Sequence, residues 1–130
     1  MIQGVRSVLD ASALLAMLHA ESGAADVERA VPHAAISAVN WSEVVQKSIA
    51  RRVDTTGMRT ELEALGLQII PFTADHAERA ASLWSDTEGA GLSLGDRACL
   101  ALGLEFTLPV LTADRTWKAL RIGAKIRAIR

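Results

Sequence analysis

The sequence contains a single cysteine, Cys99, among its 130 residues. One thiol cannot form an internal disulfide, so the chain is not a disulfide-stapled domain and is suited to a reducing compartment. Long apolar runs are missing as well: residues 11 to 18 form a typical one, well short of the roughly 20 residues that a membrane span needs. The N-terminal segment has no apolar stretch followed by a small-residue cleavage site. We therefore expect a cytoplasmic protein that crosses no membrane.

Motifs for several other chemistries are also missing. The glycines near position 90 lack the Lys-Ser or Lys-Thr ending that a nucleotide-binding loop needs. The three histidines are scattered, with no spacing typical of a zinc site or a histidine general base. Cys99 lies in a strongly apolar helical segment without a histidine nearby in the sequence. We interpret it as a small core residue rather than a nucleophile.

The formal net charge is only -1, from 14 Lys plus Arg and 15 Asp plus Glu, which by itself argues against a nucleic-acid partner. The charges are unevenly distributed, however: residues 115 to 130 carry six basic and no acidic side chains, which leaves a balance of -7 before them. This pattern is typical of an acidic site beside a surface that attracts phosphates, and a solvated basic terminus explains it equally well. We name these six residues the basic strip: Arg115, Lys118, Arg121, Lys125, Arg127 and Arg130.

Strand and helix patterns alternate along the chain. The predicted strands are Val5–Leu9, Ala34–Ser37, Gln68–Phe72, Pro109–Leu111 and, at the edge, Lys125–Ile129. The predicted helices are Ser12–Ala20, Asn40–Arg51, Thr55–Leu65, Thr73–Asp86, Leu94–Leu104 and Asp114–Leu120. Such alternation is typical of a parallel sheet covered on both faces. We predict the α/β class, a three-layer α/β/α sandwich around a parallel sheet of four to five strands, as one domain over residues 1 to 130.

The helix predicted before position 86 has the clearest amphipathic period. Its apolar stripe consists of Ala77, Ala80, Ala81 and Trp84, at positions i, i+3, i+4 and i+7. The stripe predicts that Trp84 packs in the core, and the same interpretation applies to Trp41 in the second helix.

Four acidic residues lie where predicted strands end or the following helices begin. Asp10 ends the first strand and Asp114 follows the fourth, while Glu43 and Asp96 lie in the first turns of two helices. Ligands of open parallel sheets lie outside the carboxyl ends of the strands, so these acids are candidate site residues. If the first and fourth strands are neighbours, we expect all four carboxylates to share one pocket.

Each acid also has a purely structural interpretation. Asn40 precedes Glu43 by the spacing of a capping box, as Ser93 precedes Asp96. Glu43 can also pair with Lys47 one helical turn later. The two acids that follow strands are natural N-caps. These interpretations stay open beside the functional one.

Four like charges in one pocket are costly unless some are protonated or a cation neutralises them. Carboxylate oxygens are hard ligands that suit Mg²⁺ or Mn²⁺, which keep several waters and accept phosphate oxygens. Such a site can activate a water molecule and stabilise charge while a phosphodiester bond breaks. The pattern therefore indicates metal-dependent hydrolysis of nucleic acid.

Four segments of the chain carry these acids. They are Leu9-Asp10-Ala11-Ser12-Ala13-Leu14-Leu15, Asn40-Trp41-Ser42-Glu43-Val44, Leu94-Gly95-Asp96-Arg97-Ala98-Cys99-Leu100-Ala101-Leu102-Gly103 and Leu111-Thr112-Ala113-Asp114. Each segment alone is a weak motif, but their order and spacing in a chain of this length are specific. On these segments the sequence resembles the PIN-domain family over essentially its whole length.

Among such domains, small free-standing ones are similar to the VapC-type toxins of toxin-antitoxin pairs, which the family implies are Mg²⁺-dependent ribonucleases held inactive by a cognate antitoxin. The resemblance implies that Asp10, Glu43, Asp96 and Asp114 are the catalytic, metal-binding acids and that Ser12 and Thr112 are supporting hydroxyls. We also expect a homodimer. Apolar residues of the early helices are candidates for a partner groove or dimer surface, although core burial explains most of them equally well: Leu14, Leu15, Met17, Leu18 and Ile49.

Three further residues are candidates for binding the substrate. Arg97 and Arg115 each follow a candidate acid, where either could hold a phosphate or simply balance the acids. Trp117 lies among basic residues, where its ring could stack on an RNA base or pack against the sheet.

The leading hypothesis is a metal-dependent endoribonuclease that cleaves single-stranded RNA, with Mg²⁺ as cofactor and Mn²⁺ as a substitute. One alternative is an inactive RNA- or protein-binding module whose acids only cap helices. Another is a phosphatase with Asp10 as nucleophile, as in haloacid-dehalogenase-like enzymes. Those enzymes need a second acid two residues later, where this chain has Ser12.

Overall fold

A computed structural model describes residues 2 to 130 of the chain. The strands are Ser7–Leu9 (β1), Ala34–Ser37 (β2), Gln68–Ile70 (β3), Val110–Thr112 (β4) and Ile126–Ala128 (β5). The α-helices are Ala11–Leu18 (α1), Ala24–Ala30 (α2), Ala38–Ala50 (α3), Met58–Ala64 (α4), Ala74–Ser82 (α5), Trp84–Thr87 (α6) and Leu94–Phe106 (α7). Short 3₁₀ helices lie at Val31–His33, Glu88–Ala90 and Arg115–Ala119.

The five strands form one sheet in the order β3-β2-β1-β4-β5, and every neighbouring pair is parallel. β1 lies at the centre, where Val8 is in register with Ala35 on one side and Val110 on the other. The arrangement confirms the predicted α/β/α sandwich and its sheet of four to five strands. It also makes the first and fourth strands neighbours, which was the condition for the acids to meet.

Alternate side chains of the central strands enter two separate cores. Leu9 and Leu111 lie in a core that contains residues of α1, α2 and α3. Val8 and Val110 lie in a second core with residues of α5 and α7. The sheet is therefore buried on both faces, which explains the nearly continuous apolar character of its central strands.

The contact between α7 and β4 depends on a glycine. A Cβ atom added at Gly103 would lie 2.5 Å from Cγ2 of Val110, so a larger residue there has no room. This close approach places α7 directly on the central strands. The N-terminal end of α7, which carries Asp96, is positioned as a consequence.

One helix was not predicted. α2 has only seven residues, AADVERA, of which Val27 alone is buried. One buried position cannot produce a visible helical period, so the sequence pattern gave no signal. Gly23, with a φ of 93°, precedes this helix and packs against Ile129. A Cβ atom at Gly23 would lie 2.5 Å from the carbonyl oxygen of Ile129, so a larger residue has no room there.

The prediction that Trp84 packs in the core was wrong. α5 ends at Ser82 and a new short helix begins at Trp84, so the helical period breaks at Leu83. The break turns Leu83 inward, where it is 9% exposed, and leaves Trp84 55% exposed. Trp41, by contrast, packs against the first core as predicted.

Within residues 2 to 130, no helix combines the length and the apolar character that crossing a membrane would require.

Candidate active site

The candidate site lies at the carboxyl edge of the sheet, where β1 and β4 end side by side. Asp10 continues the β1 ladder by one residue, since its amide donates to the carbonyl of Leu111 at 2.9 Å. It then starts α1 in an extended conformation, with φ -73° and ψ 155°. Its carboxylate makes no capping hydrogen bond to that helix. The N-cap interpretation therefore describes the backbone of Asp10 and leaves its side chain unexplained.

Two hydroxyl groups hold the Asp10 carboxylate. Ser12 Oγ donates to Oδ2 of Asp10 at 2.6 Å, and Thr112 Oγ1 donates to the same oxygen at 3.0 Å. The hydroxyls in turn accept the backbone amides of Ala113, at 2.9 Å, and Asp114, at 3.1 Å. The backbone amides that follow β4 thus orient the two hydroxyls, and the hydroxyls orient the carboxylate of Asp10. Among the described residues, Oδ1 of Asp10 receives no hydrogen bond, so it is the oxygen available to a ligand.

Asp10 is only 5% exposed and titrates abnormally. Burial and, to a smaller extent, the negative charges of Asp96 and Glu43 raise the pKa of its carboxyl, and the hydrogen bonds of Ser12 and Thr112 oppose the rise; the net effect is a pKa of about 6 in place of 3.8. A buried acid surrounded by other acids favours a proton or a cation. Perturbed carboxyls of this kind cluster at functional sites.

Glu43 lies in the second turn of α3 rather than the first. The helix begins two residues earlier than predicted, because Ser37 caps it by accepting the amide of Val39 at 3.2 Å. Asn40 therefore does not cap the helix, and the predicted Asn40–Glu43 capping box does not form. The predicted pair with Lys47 does form, at 2.9 Å between Nζ and Oε2.

Asp96 is the third residue of α7 and completes a capping box with Ser93. The amide of Asp96 donates to Ser93 Oγ at 3.1 Å, and the amide of Ser93 donates to Oδ2 of Asp96 at 2.9 Å. The capping box predicted for Asp96 therefore forms. Its charge nevertheless acts on Asp10 and on the buried thiol of Cys99, whose pKa is raised by burial and then by the surrounding acids.

Asp114 lies at the exposed rim of the site. Its Oδ1 accepts the amide of Thr116 at 2.9 Å and the hydroxyl of Thr116 at 2.6 Å, so it caps the 3₁₀ helix that follows. Its carboxylate is absent from the charges that act on Asp10. The structure thus brings Asp10, Glu43 and Asp96 together electrostatically and leaves Asp114 outside that group.

The donor chemistry of the site fits a hard cation. Its carboxylates, hydroxyls and backbone carbonyls are oxygen donors of the kind that Mg²⁺ and Mn²⁺ prefer. The side chains are not gathered around one point, however: within residues 2 to 130, no three Asp, Glu, His or Cys residues are close enough to hold a metal ion. The contacts that three of these acids make with Lys47, Ser93 and Thr116 each use one carboxylate oxygen, Oε2 of Glu43, Oδ2 of Asp96 and Oδ1 of Asp114, and leave the second oxygen outside the contact.

A family model described as PIN domain matches residues 7 to 123. This chain belongs to the PIN domain family. The match spans every strand except β5 and includes all four candidate acids. No curated protein matches the sequence significantly.

Three solved structures share the fold of this PIN domain, and the descriptions of two of them name toxin-antitoxin systems. A toxin-antitoxin complex from Klebsiella pneumoniae superposes with a TM-score of 0.70 at 22% identity, covering 95% of this chain and 98% of that chain. VapBC2 from Rickettsia felis, bound to a DNA fragment from its promoter, gives a TM-score of 0.69 at 15% identity, covering 95% and 98%. VapBC-5 from Mycobacterium tuberculosis gives 0.56 at 22% identity, covering 97% and 98%. At these identities the likeness establishes the fold.

Of the three candidate substrate contacts in this PIN domain, one lies beside the acids. Arg115 is exposed in an open cleft next to Ser12 and Asp114, and its Nε donates to the carbonyl of Arg130 at 2.6 Å. Arg97 instead donates to the carbonyl of Ala80 at 3.1 Å, which connects α7 to α5.

Trp117 does not offer a stacking surface. Its ring is 1% exposed and lies in the core formed with α5 and α7. Of its two predicted roles, packing against the sheet is the one observed. Its indole N–H has no hydrogen-bond partner among the described residues.

Sequence reasoning missed one residue at this site, Asn40. It was considered only as an N-cap, yet its side chain is 0% exposed and donates through Nδ2 to the carbonyl of Gly95 at 2.9 Å. Asn40 precedes Glu43 by one helical turn, and Gly95 immediately precedes Asp96. A buried amide between two candidate acids has no signature in a single sequence, because an N-cap asparagine has the same spacing.

Proposed function

We propose that this PIN domain is a metal-dependent endoribonuclease that cleaves single-stranded RNA and acts as the toxin of a toxin-antitoxin pair. The observation that carries the proposal is Asp10: a buried carboxyl at the carboxyl edge of a parallel sheet, with its pKa raised to about 6 beside Asp96 and Glu43. Helix capping does not account for this side chain.

Mg²⁺ is the proposed cofactor, with Mn²⁺ as a substitute. Asp10, Glu43, Asp96 and Asp114 would hold it, as the resemblance to the family implies. When bound, the ion supplies charge stabilisation at a phosphoryl oxygen and makes a water molecule in its shell more acidic. Ser12 and Thr112 keep Oδ2 of Asp10 in place, which leaves Oδ1 facing away from the hydroxyl pair as the oxygen to be shared with a ligand.

The basic strip supports RNA as the substrate class. All six of its side chains belong to exposed residues. Arg115 and Arg130 border the open cleft that also contains Ser12 and Asp114, so positive charge lies directly beside the acids. A phosphate backbone that enters this cleft would meet two arginines beside the carboxylate of Asp114. Of the three candidate substrate contacts we retain Arg115. Arg97 donates to the carbonyl of Ala80 instead, and Trp117 is buried.

A cognate antitoxin is the proposed protein partner, since the structural neighbours in Klebsiella pneumoniae and Rickettsia felis are described as a toxin-antitoxin complex and as VapBC2. The expected homodimer also remains a proposal. A shallow apolar pocket on α3 next to Ile49, which is 59% exposed, is consistent with a protein contact. Light scattering of the purified chain measures the oligomeric state directly.

One alternative function has an observation in its favour. Glu43, Asp96 and Asp114 all make the structural contacts expected of an inert module whose acids only stabilise helices. The side chain of Asp10 makes no such capping contact, so a substitution at Asp10 distinguishes the nuclease from the inert module. The phosphatase alternative is disfavoured, because Ser12 occupies the position of the second acid and its hydroxyl is bonded to Asp10.

The test uses purified protein freed of any partner, with single-stranded RNA and a DNA of the same sequence as substrates. We expect cleavage of RNA with Mg²⁺, none with EDTA, and none by Asp10→Asn. Asp75→Asn is the matched control, because Asp75 is an exposed acid in a surface ion pair with Arg79. Asp10→Asn cleaving as fast as this control would overturn the proposal, and absence of cleavage by the parent would favour the binding module.

A further inference from the structure

The strand β5 forms one edge of the sheet, and part of its backbone faces away from the other strands. The carbonyl of Lys125 accepts a β4 amide at 2.8 Å, and the amide of Ile129 donates to a β4 carbonyl at 2.9 Å. In a parallel pair, alternate residues of a strand point both their N–H and C=O groups at the same neighbour. The backbone groups of Ile126 and Ala128 therefore point to the side on which the sheet has no further strand.

These outward groups can bind another strand. In the described part of the chain, no turn or loop makes a backbone hydrogen bond to Ile126 or Ala128 from outside the sheet. An open edge is a template on which an extended chain can add, and the main-chain hydrogen bonds then provide much of the affinity. The edge of β5 thus offers both donors and acceptors to a partner.

A groove beside this edge carries positive charge. It has a volume of about 390 Å³, lies between α2 and β5, and contains Arg29 and Arg127 together with Asp26. Arg127 lies on this side of the sheet, because Leu111 and Ile129 of the same groove belong to the first core. Arg29 is paired with Asp26, whereas Arg127 forms no salt bridge with any described residue.

The two faces of β5 favour different side chains in an added strand. Lys125 and Arg127 are two residues apart, so they share the groove side, and both residues are exposed. Ile126 lies on the opposite side, where it is partly buried against the second core. Side chains on one face of neighbouring strands contact each other, and opposite charges there attract. An added strand therefore fits best with acids on the groove side and apolar residues on the other.

The same charges favour one occupant over its competitors. Basic residues on an edge strand are a common means of preventing pairing between copies of a protein, because like charges on adjacent strands repel. A second copy of this chain would bring its own Lys125 and Arg127 to the edge. RNA is attracted by the charge, but it lacks the alternating amide and carbonyl groups that match a strand. An acidic polypeptide satisfies both the charge and the backbone.

We propose that the open edge of β5 binds an extended, acidic segment of a partner protein, which adds to the sheet as a further strand with alternating acidic and apolar residues. Its backbone pairs with Ile126 and Ala128, and its acids contact Arg127 and Arg29 in the groove. The inference is independent of the nuclease activity proposed above, since it involves none of the four candidate acids.

The test is an NMR titration of the isotope-labelled protein, without RNA or metal. The probe is a short peptide of alternating glutamate and valine with blocked ends, and its control has lysine in place of glutamate. We expect the glutamate peptide to bind at least about ten times more tightly than the lysine peptide and to slow hydrogen exchange at the amides of Ile126 and Ala128. Equal binding of the two peptides, or no binding of the glutamate peptide, would overturn the inference.

Two variants separate the charge from the backbone pairing. Arg127→Glu reverses the charge beside the edge and should weaken binding of the glutamate peptide about tenfold or more. Ala128→Pro removes an outward N–H and keeps the β4 ladder, because proline is tolerated on an edge strand where its nitrogen faces away. It should weaken binding about fivefold, the usual loss for one hydrogen bond. Arg59→Glu, at an exposed arginine of α4 paired with Glu63, is the matched control and should bind as the parent does.

Other occupants of the edge give different results. If single-stranded oligouridine perturbs the amides of Ile126 and Ala128 more strongly than the glutamate peptide does, the surface binds nucleic acid and the inference is wrong. If those amides shift with protein concentration alone, the edge pairs two copies of the chain, which also contradicts it. Unchanged binding by Arg127→Glu refutes the charge argument even if Ala128→Pro does not fold.

Discussion

Replacing Asp10 with asparagine should make the metal-free protein more stable at neutral pH. The amide is the uncharged counterpart of the acid, and its oxygen can accept both hydroxyl hydrogen bonds that Oδ2 now receives from Ser12 and Thr112. What disappears is the buried charge. Most single substitutions destabilise a protein, so the sign of this effect tests the electrostatic argument.

The magnitude follows from the pKa of Asp10. The pKa of this carboxyl is 3.8 when nothing perturbs it and about 6 in the folded protein, and burial is the largest cause of the rise. This gap corresponds to about 3 kcal/mol, at about 1.4 kcal/mol per tenfold change in proton affinity. Below about pH 4 the acid is protonated in both states and costs nothing. Between about pH 4 and 6 only the folded state keeps the proton, so the parent loses stability as pH rises, and above about pH 7 the full cost is present.

Urea unfolding followed by circular dichroism, in EDTA and at several pH values, measures this directly. The free energy of unfolding of Asp10→Asn minus that of the parent should be near zero at pH 4 and about 3 kcal/mol at pH 7.5. Asp75→Asn, which changes a side chain that is 69% exposed, should differ from the parent by less than about 1 kcal/mol. A difference for Asp10→Asn that does not vary with pH, or a less stable variant at pH 7.5, would refute the reasoning.

Further outcomes follow from the same contacts. Thr112→Val removes a donor that lowers the pKa of Asp10, so that pKa should rise and the metal-free protein should lose about 1 to 3 kcal/mol at neutral pH; the pH dependence of urea unfolding measures both. Saturating Mg²⁺, at one hundred times its Kd, should stabilise the parent by about 2.7 kcal/mol and leave the melting temperature of Asp10→Asn unchanged in a thermal scan. Gly103→Ala should cost about 1 to 3 kcal/mol because its Cβ would lie 2.5 Å from a β4 side chain, while Gly89→Ala meets nothing within 4 Å and should be nearly neutral in the same scan. Ser93→Ala removes the hydroxyl cap of α7 and should cost about 1 kcal/mol in urea unfolding.

Most elements were predictable from the sequence because strand and helix periods are local properties. β2 has the predicted bounds, and α7 begins at the predicted residue after its Ser93 cap. α2 was missed because a single buried valine makes no period. Trp84 was placed wrongly because the helical period was extended through Leu83, where the chain starts a new helix. The single-domain organisation over residues 1 to 130 and the roles of the four acids remain predictions.

The capping contacts show why a carboxylate motif is ambiguous in a sequence. The spacing of Ser93 and Asp96 predicts a capping box and is equally compatible with a metal ligand, and the structure contains the box. Glu43 and Lys47 behave in the same way. Only for Asp10 do burial, two hydroxyl donors and neighbouring charge give the side chain a setting that capping does not explain.

The sequence by itself determined the class of the fold, the order of the strands and of every helix except α2, and four acids near the ends of strands or the starts of helices, since these depend on local patterns. The parallel order of the sheet decided which acids meet: β1 lies beside β4 and α7 packs on both. The charges of Glu43 and Asp96 therefore act on Asp10, while Asp114 is exposed. Tertiary packing also buried Trp117 and enclosed the amide of Asn40. Burial and long-range charge are properties of the assembled chain, and they set the pKa of Asp10.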